Sequence, residues 1–251
     1  MYLSYNEITS IQSGTFNGLS SLYGLQLENN NISVIEENAF NNLTSLRSMY
    51  LSYNEITSIQ SGTFNGMSNL DSLYLSYNEI TSIQSGAFNG LPSLSSLYLN
   101  NNQITSIQAG TFNDLSSLYI LELQYNAISV IEVNSFNNLP RLRYLKLDMY
   151  CGGCGSIPFW RWLKRNQQFS LSVTCNDYGG EYLYNLQPNN ATKCFGIMIK
   201  QFYPEYEQQA CMSGQFGNKC TQTCHCINKP CDPISGMSSW WMSTWIYRRH
   251  M

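Results

Sequence analysis

The sequence repeats itself every 24 residues, and this period limits the folds that the chain can adopt. Six repeats follow one another without insertion or deletion, and they begin at Met1, Leu25, Met49, Leu73, Leu97 and Leu121. A seventh begins at Leu145 and ends near Tyr150. One unit of this length cannot bury its apolar side chains alone, so adjacent units must stack and share a core. The period therefore predicts a solenoid.

Each repeat follows the pattern L-x-L-x-x-N-x-I-x-x-I-x-x-x-x-F-x-x-L-x-x-L-x-x. The alternating pair, such as Leu25 and Leu27, predicts a short strand with one buried face. The asparagine that follows predicts a buried amide, which must bond backbone groups where the strand turns. The recurring phenylalanine predicts an aromatic column under the convex side. An array of amphipathic helices is excluded, because the Leu pair has a period of two and Pro, Gly and Asn interrupt longer helices.

This 24-residue unit resembles the extracellular class of leucine-rich repeats, which includes Toll-like receptors, Slit proteins, small proteoglycans and lamprey variable lymphocyte receptors. The resemblance covers residues 1–150. It implies an α/β repeat fold: a solenoid with a concave parallel β-sheet, a disulfide-bonded C-terminal cap and a small cysteine-rich tail. We expect the solenoid over residues 1–147, the cap over 148–196, a linker over 197–210, a partial module over 211–235 and a tail of uncertain order over 236–251.

All nine cysteines lie between Cys151 and Cys231. This placement is typical of a repeat body joined to disulfide-rich modules in an oxidising compartment. The run Cys151-Gly-Gly-Cys154, followed by a Trp-rich segment and two single cysteines, resembles the C-terminal cap of extracellular leucine-rich repeats. The resemblance implies the pairs Cys151–Cys175 and Cys154–Cys194. The family spacing is C-x-C and this chain has C-x-x-C, which leaves the pairing open. Residues 158–166 are predicted to form a short helix that covers the last repeat.

The segment from Cys211 to Cys231 resembles the opening of an EGF-like module of the laminin type, with its G-x-F-G-x-x-C-x-x-x-C-x-C pattern. That resemblance implies the pairs Cys220–Cys226 and Cys224–Cys231 and leaves Cys211 without a partner. It covers only half a module. Residues 232–251 are therefore either a degenerated remainder of that module or a stretch in which the gene sequence was translated incorrectly. A zinc site from Cys220, Cys224, His225, Cys226 and Cys231 is the rival interpretation of this segment, and a redox dithiol or half a zinc site is the rival at Cys151 and Cys154. Both rank lower. Adjacent ligands at 224–226 make tetrahedral coordination of a zinc ion awkward, and a thioredoxin-like dithiol needs a βαβ pattern around the C-x-x-C, which is absent.

The two ends of the repeat region suggest that the sequence is a fragment. Residues 1–18 recur unchanged as residues 49–66, so Met1 occupies the core slot of an internal residue. A terminal repeat needs a polar or disulfide-bonded cap. We expect the signal peptide and an N-terminal cap upstream; the alternative is a complete chain with an uncapped end. We also expect an extracellular or cell-surface location, no transmembrane segment in this chain, and glycosylation at Asn31, Asn42 and Asn190, each in an N-x-S/T triplet.

The predicted concave face carries the candidate binding residues. Side chains between and beyond the two leucines of each strand point away from the core and form columns over six repeats. Tyrosine dominates these columns, and it offers a stiff contact area with a polar tip. The predicted ligand-binding residues are Tyr2, Tyr5, Tyr50, Tyr53, Tyr74, Tyr77, Tyr98, Asn101 and Tyr125. The competing interpretation is that stacked tyrosines stabilise the sheet without binding anything.

Composition and motifs argue against other functions. The net charge is −3 and only 12% of residues are charged, so a nucleic-acid partner is not expected. No nucleotide-binding or zinc-protease motif is present, and the two histidines, His225 and His250, complete no catalytic set. We therefore expect no enzyme activity, no cofactor and no metal.

The first functional hypothesis is a recognition module of a cell-surface receptor or secreted binding protein, with a protein or glycan on the concave face. The alternative is a matrix or adhesion scaffold in which the repeats act as a spacer. A weaker third is an accessory region of a larger extracellular enzyme. The oligomeric state and the identity of the ligand are left open.

Overall fold

The structure is a computed structural model that describes residues 1–132, 134–149, 159, 170–175, 181–182, 215–216 and 222–223. The chain divides into two compact units, Met1–Ala191 and Thr192–Met251. We call the six stacked repeats coil 1 (residues 1–24), coil 2 (25–48), coil 3 (49–72), coil 4 (73–96), coil 5 (97–120) and coil 6 (121–144).

The described residues form short strands joined by turns, with each complete coil contributing to two separate sheets. In chain order the strands are β1 (Ser10–Ile11), β2 (Gly24–Gln26), β3 (Val34–Ile35), β4 (Ser48–Tyr50), β5 (Ser58–Ile59), β6 (Ser72–Tyr74), β7 (Ser82–Ile83), β8 (Ser96–Tyr98), β9 (Ser106–Ile107), β10 (Ile120–Glu122), β11 (Val130–Ile131), β12 (Tyr144–Met149), β13 (Ser170–Cys175), β14 (Glu181–Tyr182), β15 (Gln215–Phe216) and β16 (Gln222–Thr223).

The main sheet has eight strands in the order β14-β13-β12-β10-β8-β6-β4-β2. From β2 to β12 the strands are parallel, and each residue pairs with its equivalent in the next coil, as Leu73 does with Leu97. Tyr2 adds an isolated parallel bridge to Gln26 at the coil 1 end. Each Leu pair therefore stacks on the Leu pair of the adjacent coil. This confirms the predicted solenoid with a parallel sheet.

The main sheet continues beyond the last repeat, which the repeat pattern did not predict. Strand β13 pairs in parallel with β12 over six residues, and β14 then pairs antiparallel with β13. Val173 in β13 is buried in the same core as the repeats, and the preceding Ser172 is exposed. The predicted cap region therefore supplies an extra strand that covers the edge of the last coil.

The opposite side of the coils carries three two-stranded parallel sheets, β1-β3, β5-β7 and β9-β11. Each pairs one coil with the next through two residues, with the isoleucine turned inward, as Ile59 pairs with Ile83. A single core runs between the two sides. The recurring phenylalanines form the predicted column within it, with ring centroids 5.6–6.1 Å apart from Phe16 to Phe136. Phe159 extends that column, with its ring 5.1 Å from Phe136. The rest of the predicted helix, residues 158–166, lies outside the described residues.

Ring spacings show which side of the solenoid is concave. Phe64 and Phe88 on one side are 6.0 Å apart, whereas Tyr74 and Tyr98, which stand on the main sheet, are 4.7 Å apart. Both pairs join equivalent residues of adjacent coils with nearly parallel rings. Strand hydrogen bonding holds the coils at ~4.8 Å along the main sheet, and the phenylalanine column is more widely spaced than that. The coils therefore fan apart, and the main sheet lies on the inside of the curve.

A ladder of buried asparagines joins one coil to the next. In coil 3, Asn54 Oδ1 accepts a hydrogen bond from the Ile32 backbone N–H at 3.0 Å. Its Nδ2 donates to the carbonyls of Leu27 and Leu51 at 3.0 and 3.1 Å. The same bridging pattern recurs at Asn30, Asn78, Asn102 and Asn126. This confirms the predicted role of the amide: it satisfies backbone groups where each strand turns.

The second unit, Thr192–Met251, is described at two short strands. Strands β15 and β16 pair antiparallel, with Gln215 opposite Thr223 and Phe216 opposite Gln222. This hairpin lies inside the segment predicted to be a partial EGF-like module. The cysteines of that module lie outside the described residues.

Candidate recognition surface on the main sheet

The candidate surface consists of side chains that alternate with buried leucines along each strand. In β6 and the residues after it, Leu73 and Leu75 are fully buried, while Tyr74 between them is half-buried. Successive strand residues point to opposite faces. The Leu pair therefore fixes the outward direction of Tyr74 and of its equivalents in every coil.

An inner row of tyrosines runs along the middle of the sheet, and we define it as Tyr50, Tyr74 and Tyr98. Their rings stack at 4.6 and 4.7 Å with interplanar angles of 6° and 4°. Because the rings lie face to face, the row presents ring edges and hydroxyls to solvent and covers most of its aromatic faces. Such a surface suits contacts with side chains and backbone groups of a protein better than the stacking of a free base, which requires an open ring face.

An outer row lies three residues further along each coil, and its stacked members are Tyr53 and Tyr77. Their rings are 4.4 Å apart with an interplanar angle of 7°. Both side chains are about half exposed. Both backbones are left-handed, with φ of 57° and 55°. That conformation suits Gly and Asn, and it is unfavourable for a bulky residue.

Every coil has a left-handed residue at the outer-row position. Coils 2 and 5 place asparagine there, at Asn29 and Asn101, with φ of 57° and 56°. The other four coils place tyrosine there, at Tyr5, Tyr53, Tyr77 and Tyr125. Four of the six coils therefore have tyrosine, the residue that is less favourable in this conformation, although the other two coils show that asparagine fits the same position.

A polar floor separates the two rows, and we define it as Ser52, Ser76 and Asn100. Ser76 is buried and its Oγ donates a hydrogen bond of 2.6 Å to Asn100 Oδ1 in the next coil. This contact shows that outward residues of adjacent coils reach each other at this level. The surface over coils 3–5 is thus a band of hydroxyls flanked by aromatic edges.

The coil 6 end of the surface is charged. Lys146 Nζ donates to Glu122 Oε1 at 2.7 Å, and this is the ion pair found among the described residues. The hydrogen bond to Glu122 and its charge raise the pKa of Lys146, with small contributions from Tyr98 and Tyr125. Asp148 Oδ2 accepts a hydrogen bond from the Tyr125 N–H at 3.0 Å, and Asp148 Oδ1 accepts one from the Thr174 hydroxyl of β13. The extra strand therefore helps to hold the surface.

Two hydroxyls of the rows, those of Tyr74 and Tyr53, have raised pKa values and stay protonated at neutral pH. Burial raises the pKa of Tyr74, and the neighbouring Tyr98 and Tyr50 raise it further. Burial likewise raises the pKa of Tyr53, as do Tyr77, through its charge and a hydrogen bond, and Tyr5. Neutral hydroxyls can both donate and accept hydrogen bonds, which allows the rows to bind either kind of group on a partner.

The structure places all nine predicted binding residues on the main-sheet side of coils 1–6, but it breaks their columns. The stacked runs are three tyrosines long in the inner row and two in the outer row. Tyr2, Tyr5 and Tyr125 are exposed and have no ring stacked on them within the described residues. Two features were missed: the left-handed backbone and the Glu122–Lys146 pair. Only the ion pair had a direct sequence signal, since the two residues are one period apart.

The other predicted sites are described only in part. Asn31 and Asn42 are exposed, and Asn31 Nδ2 donates to Glu55 Oε1 at 2.8 Å. Asn190 and the side chains of the predicted disulfides lie outside the described residues.

On the flank of the sheet, Tyr119 and Tyr144 meet edge to face at 5.3 Å. The described part of the chain holds no cluster of three metal-ligating side chains, and none of its helices is long and apolar enough to cross a membrane.

Comparison with known proteins agrees with this architecture. The family profile described as Leucine rich repeat matches residues 1–56, 44–104 and 93–149. Among solved structures, the crystal structure of a TLR13–ssRNA13 complex is similar at 34% sequence identity and a TM-score of 0.54. The match covers 57% of this chain and 20% of that chain, so the present chain spans about a fifth of that protein. No curated protein matches the sequence.

Proposed function

The chain belongs to the leucine-rich-repeat family, and on that premise we propose that the concave face of its main sheet is a recognition surface for a protein partner. The family match covers residues 1–149, which is the part of the chain that carries both tyrosine rows. The solved relative is a complex of such a repeat protein with a ligand, single-stranded RNA in that case. The proposal concerns binding and assigns no catalysis.

The outer row carries the proposal. Tyr53 and Tyr77 are exposed bulky residues with left-handed backbones, a conformation that costs an L-residue roughly 1–2 kcal/mol. Asn29 and Asn101 occupy the same position in neighbouring coils. A chain that needed only a stable turn would be served as well by asparagine, which adopts this conformation without the strain. Strained residues that fold stability does not require point to function.

Charge and ring geometry favour a protein over a nucleic acid. The face carries Glu28, Glu122 and Asp148 against Lys146, and the flank adds Arg47 and Arg143 with Asp71, so the cations are interspersed with carboxylates and form no basic stripe of the kind that a nucleic-acid interface requires. Within the stacked runs the tyrosine faces cover one another, so a continuous set of open ring faces on which successive bases could stack is missing over coils 3–5. Exposed tyrosine edges with hydroxyl tips are typical of protein-binding hot spots.

A paired substitution tests the proposal. Tyr53→Asn with Tyr77→Asn installs the residue that the chain already uses at this position, so the fold should be retained. The purified chain is screened against arrays of extracellular proteins, glycans and single-stranded RNA. We expect a protein hit that weakens at least tenfold in the double variant, as it should for Tyr50→Ala with Tyr74→Ala, and that is unchanged in Tyr23→Ser on the flank. The absence of a protein hit, or a hit that survives both double variants, contradicts the proposal.

We also propose that the chain acts outside the cell, in a receptor or secreted protein. The support is the restriction of all nine cysteines to the region after Cys151, together with exposed N-x-S/T asparagines on the described coils. Dithiothreitol should lower the thermal stability of the cap, and a zinc chelator should leave it unchanged. The opposite pair of results would replace the proposed disulfides with a metal site.

A further inference from the structure

The stacked pair of the outer row, Tyr53 and Tyr77, is more closely spaced than the stacked tyrosines of the inner row. Its ring centroids are 4.4 Å apart with an interplanar angle of 7°, whereas neighbouring rings of the inner row are 4.6 and 4.7 Å apart. The two hydroxyls also lie near each other. Burial raises the pKa of Tyr53 most, and the charge of Tyr77 and a hydrogen bond with it raise that pKa further. The two rings therefore point the same way, and their hydroxyl-bearing edges are adjacent.

Each ring of this pair has a single neighbour within its row. Asparagine occupies the outer-row position on both sides of the pair, at Asn29 in coil 2 and Asn101 in coil 5. The next tyrosines of the row, Tyr5 and Tyr125, lie two coils away from the pair. A reaction between adjacent rings of the outer row can therefore join only the two members of this pair.

The pair is open to reactants in water and has room to change its geometry. Tyr53 is 51% exposed and Tyr77 is 46% exposed. Both follow the strands of their coils, since β4 ends at Tyr50 and β6 ends at Tyr74. The backbone at this level is still tied to the next coil, because the Tyr53 N–H donates to the Ser76 carbonyl at 3.1 Å. The coils thus keep the rings together while the side chains are free to tilt.

We propose that Tyr53 and Tyr77 are a site of dityrosine formation, which joins coil 3 to coil 4 by a carbon–carbon bond. The oxidant is hydrogen peroxide, used by a haem peroxidase. Each phenol loses one electron and one proton, and the two radicals combine at the ring carbons next to the hydroxyls. The hydrogens on those carbons then move to the oxygens and restore both phenols. The peroxide takes up the two electrons and two protons and becomes two molecules of water.

Ring contact favours this coupling over reaction between separate chains. Two groups that the fold holds together react as an intramolecular pair, which removes the entropic cost of bringing them together. The reaction requires no partner protein, so the inference goes beyond recognition by the concave face. Cross-linking is measured on the chain alone and recognition on the capture of a partner, so the two proposals are tested separately.

The inner row is less suited to the same reaction. In dityrosine the two rings lie side by side along the new bond, so their Cβ atoms must be further apart than in a stack. The inner-row tyrosines are half-buried and stand in strands that pair on both sides, as β6 pairs with β4 and β8. Their backbones are held at the strand spacing of ~4.8 Å. The outer pair lies beyond these strands, where the side chains can splay.

The test treats the whole chain, at low concentration, with a haem peroxidase and limiting hydrogen peroxide. Cleavage after glutamate places Tyr53 and Tyr77 on different peptides, residues 38–55 and 56–79. We expect a monomeric product in which these two peptides are linked with the loss of two hydrogen atoms, measured by mass spectrometry. Coupling at other tyrosines gives other peptides and does not enter this measurement.

The chain supplies its own variants. Tyr53→Asn and Tyr77→Asn install the residue of coils 2 and 5, and Tyr77→Phe keeps the stacked ring but removes its phenol. Each should lower the yield of the linked peptide at least tenfold. The matched control Tyr5→Asn, at the same position without a stacked tyrosine, should leave the yield unchanged. Tyr50→Phe with Tyr74→Phe removes the inner-row phenols that share the two peptides, and the linkage should persist.

Three results would overturn the inference. The first is the absence of the linked peptide under conditions that couple free tyrosine. The second is a linkage that persists in both Tyr77→Asn and Tyr77→Phe, or that disappears in Tyr50→Phe with Tyr74→Phe, since either would assign the bond to the inner row. The third is a linked peptide found only in covalent dimers of the chain, which would show that the contact between coils 3 and 4 does not direct the coupling.

Discussion

Residues 1–18 and 49–66 are identical in sequence but lie in different environments. Met1 is 46% exposed and Met49 is 0% exposed. Tyr2 is exposed where Tyr50 is half-buried between Gln26 and Tyr74 in the register. The local sequence cannot cause these differences. Coil 3 has a coil on each side, whereas coil 1 in this structure contacts only coil 2.

The hydrogen bonds of the ladder asparagine differ in the same way. Asn6 in coil 1 donates to two carbonyls of its own coil, Leu3 and Ser4, and is exposed. Asn54 makes the equivalent bonds and adds two to coil 2, through the Ile32 N–H and the Leu27 carbonyl. Burial and cross-coil hydrogen bonds therefore come from the adjacent coil, as expected for a quasi-one-dimensional stack.

Substitution of the ladder asparagine should give the largest difference between the two segments. Asn54→Ala leaves the buried Ile32 N–H without its acceptor and removes one of the two amide donors from each of two carbonyls, a loss of about 3–5 kcal/mol. Asn6→Ala should cost about 1 kcal/mol or less. Denaturant unfolding of both variants measures the difference, and equal losses would show that the cross-coil bonds contribute little.

Truncation of the second leucine of the strand should give a smaller contrast. Leu51 is fully buried, so Leu51→Ala should cost about 3 kcal/mol, whereas Leu3 is only partly buried and Leu3→Ala should cost about 1 kcal/mol. Thermal or urea unfolding of the pair provides the measurement. A Leu3→Ala variant as unstable as Leu51→Ala would mean that coil 1 is packed as well as the interior.

Replacement of the outer-row tyrosine should separate backbone strain from ring stacking. Tyr5 has a left-handed backbone and no tyrosine stacked on it, so Tyr5→Asn should stabilise the chain by about 0.5–1 kcal/mol. Tyr53→Asn gains the same relief but loses the ring contact with Tyr77, worth ~0.5–1.5 kcal/mol, so the two effects should nearly cancel. If Tyr5→Asn is the more destabilising of the two, the left-handed tyrosines are not strained.

The smallest effect should appear at high pH. The pKa values of Tyr74 and Tyr53 are raised in the folded chain, so the unfolded chain releases these protons first as the pH increases. Stability should be flat at neutral pH and should fall above about pH 10, the ordinary tyrosine pKa. Unfolding midpoints over this range, with Tyr74→Phe and Tyr53→Asn as controls, measure it. A fall of the same size in both variants would place the cause elsewhere in the chain.

Much of the fold could be predicted from the sequence because the repeat is regular. The period gave the register of the sheet, the Leu pairs gave its buried face, and Asn54 and its equivalents gave the ladder. The two-strand extension of the main sheet could not be predicted in this way, since β13 lies outside the repeat and owes its place to pairing with β12, and β14 pairs with β13.

The candidate site was predicted less completely. Alternation along the strand predicted which residues face outward, and this holds for Tyr50, Tyr74 and Tyr98. The left-handed backbone at Tyr53 could not be foreseen, because tyrosine rarely adopts it.

Residue-resolved amide hydrogen exchange of Ile8 and Ile56 tests most directly whether neighbouring coils, rather than local sequence, govern each residue. Both lie in the same local sequence, and both N–H groups donate at 3.1 Å to the ladder asparagine of the next coil, Asn30 and Asn78. Their intrinsic exchange rates are therefore matched. The stacked-coil account predicts exchange at Ile56 slower by about a hundredfold or more, because opening coil 3 disrupts contacts on both sides. Equal protection at the two positions would contradict it.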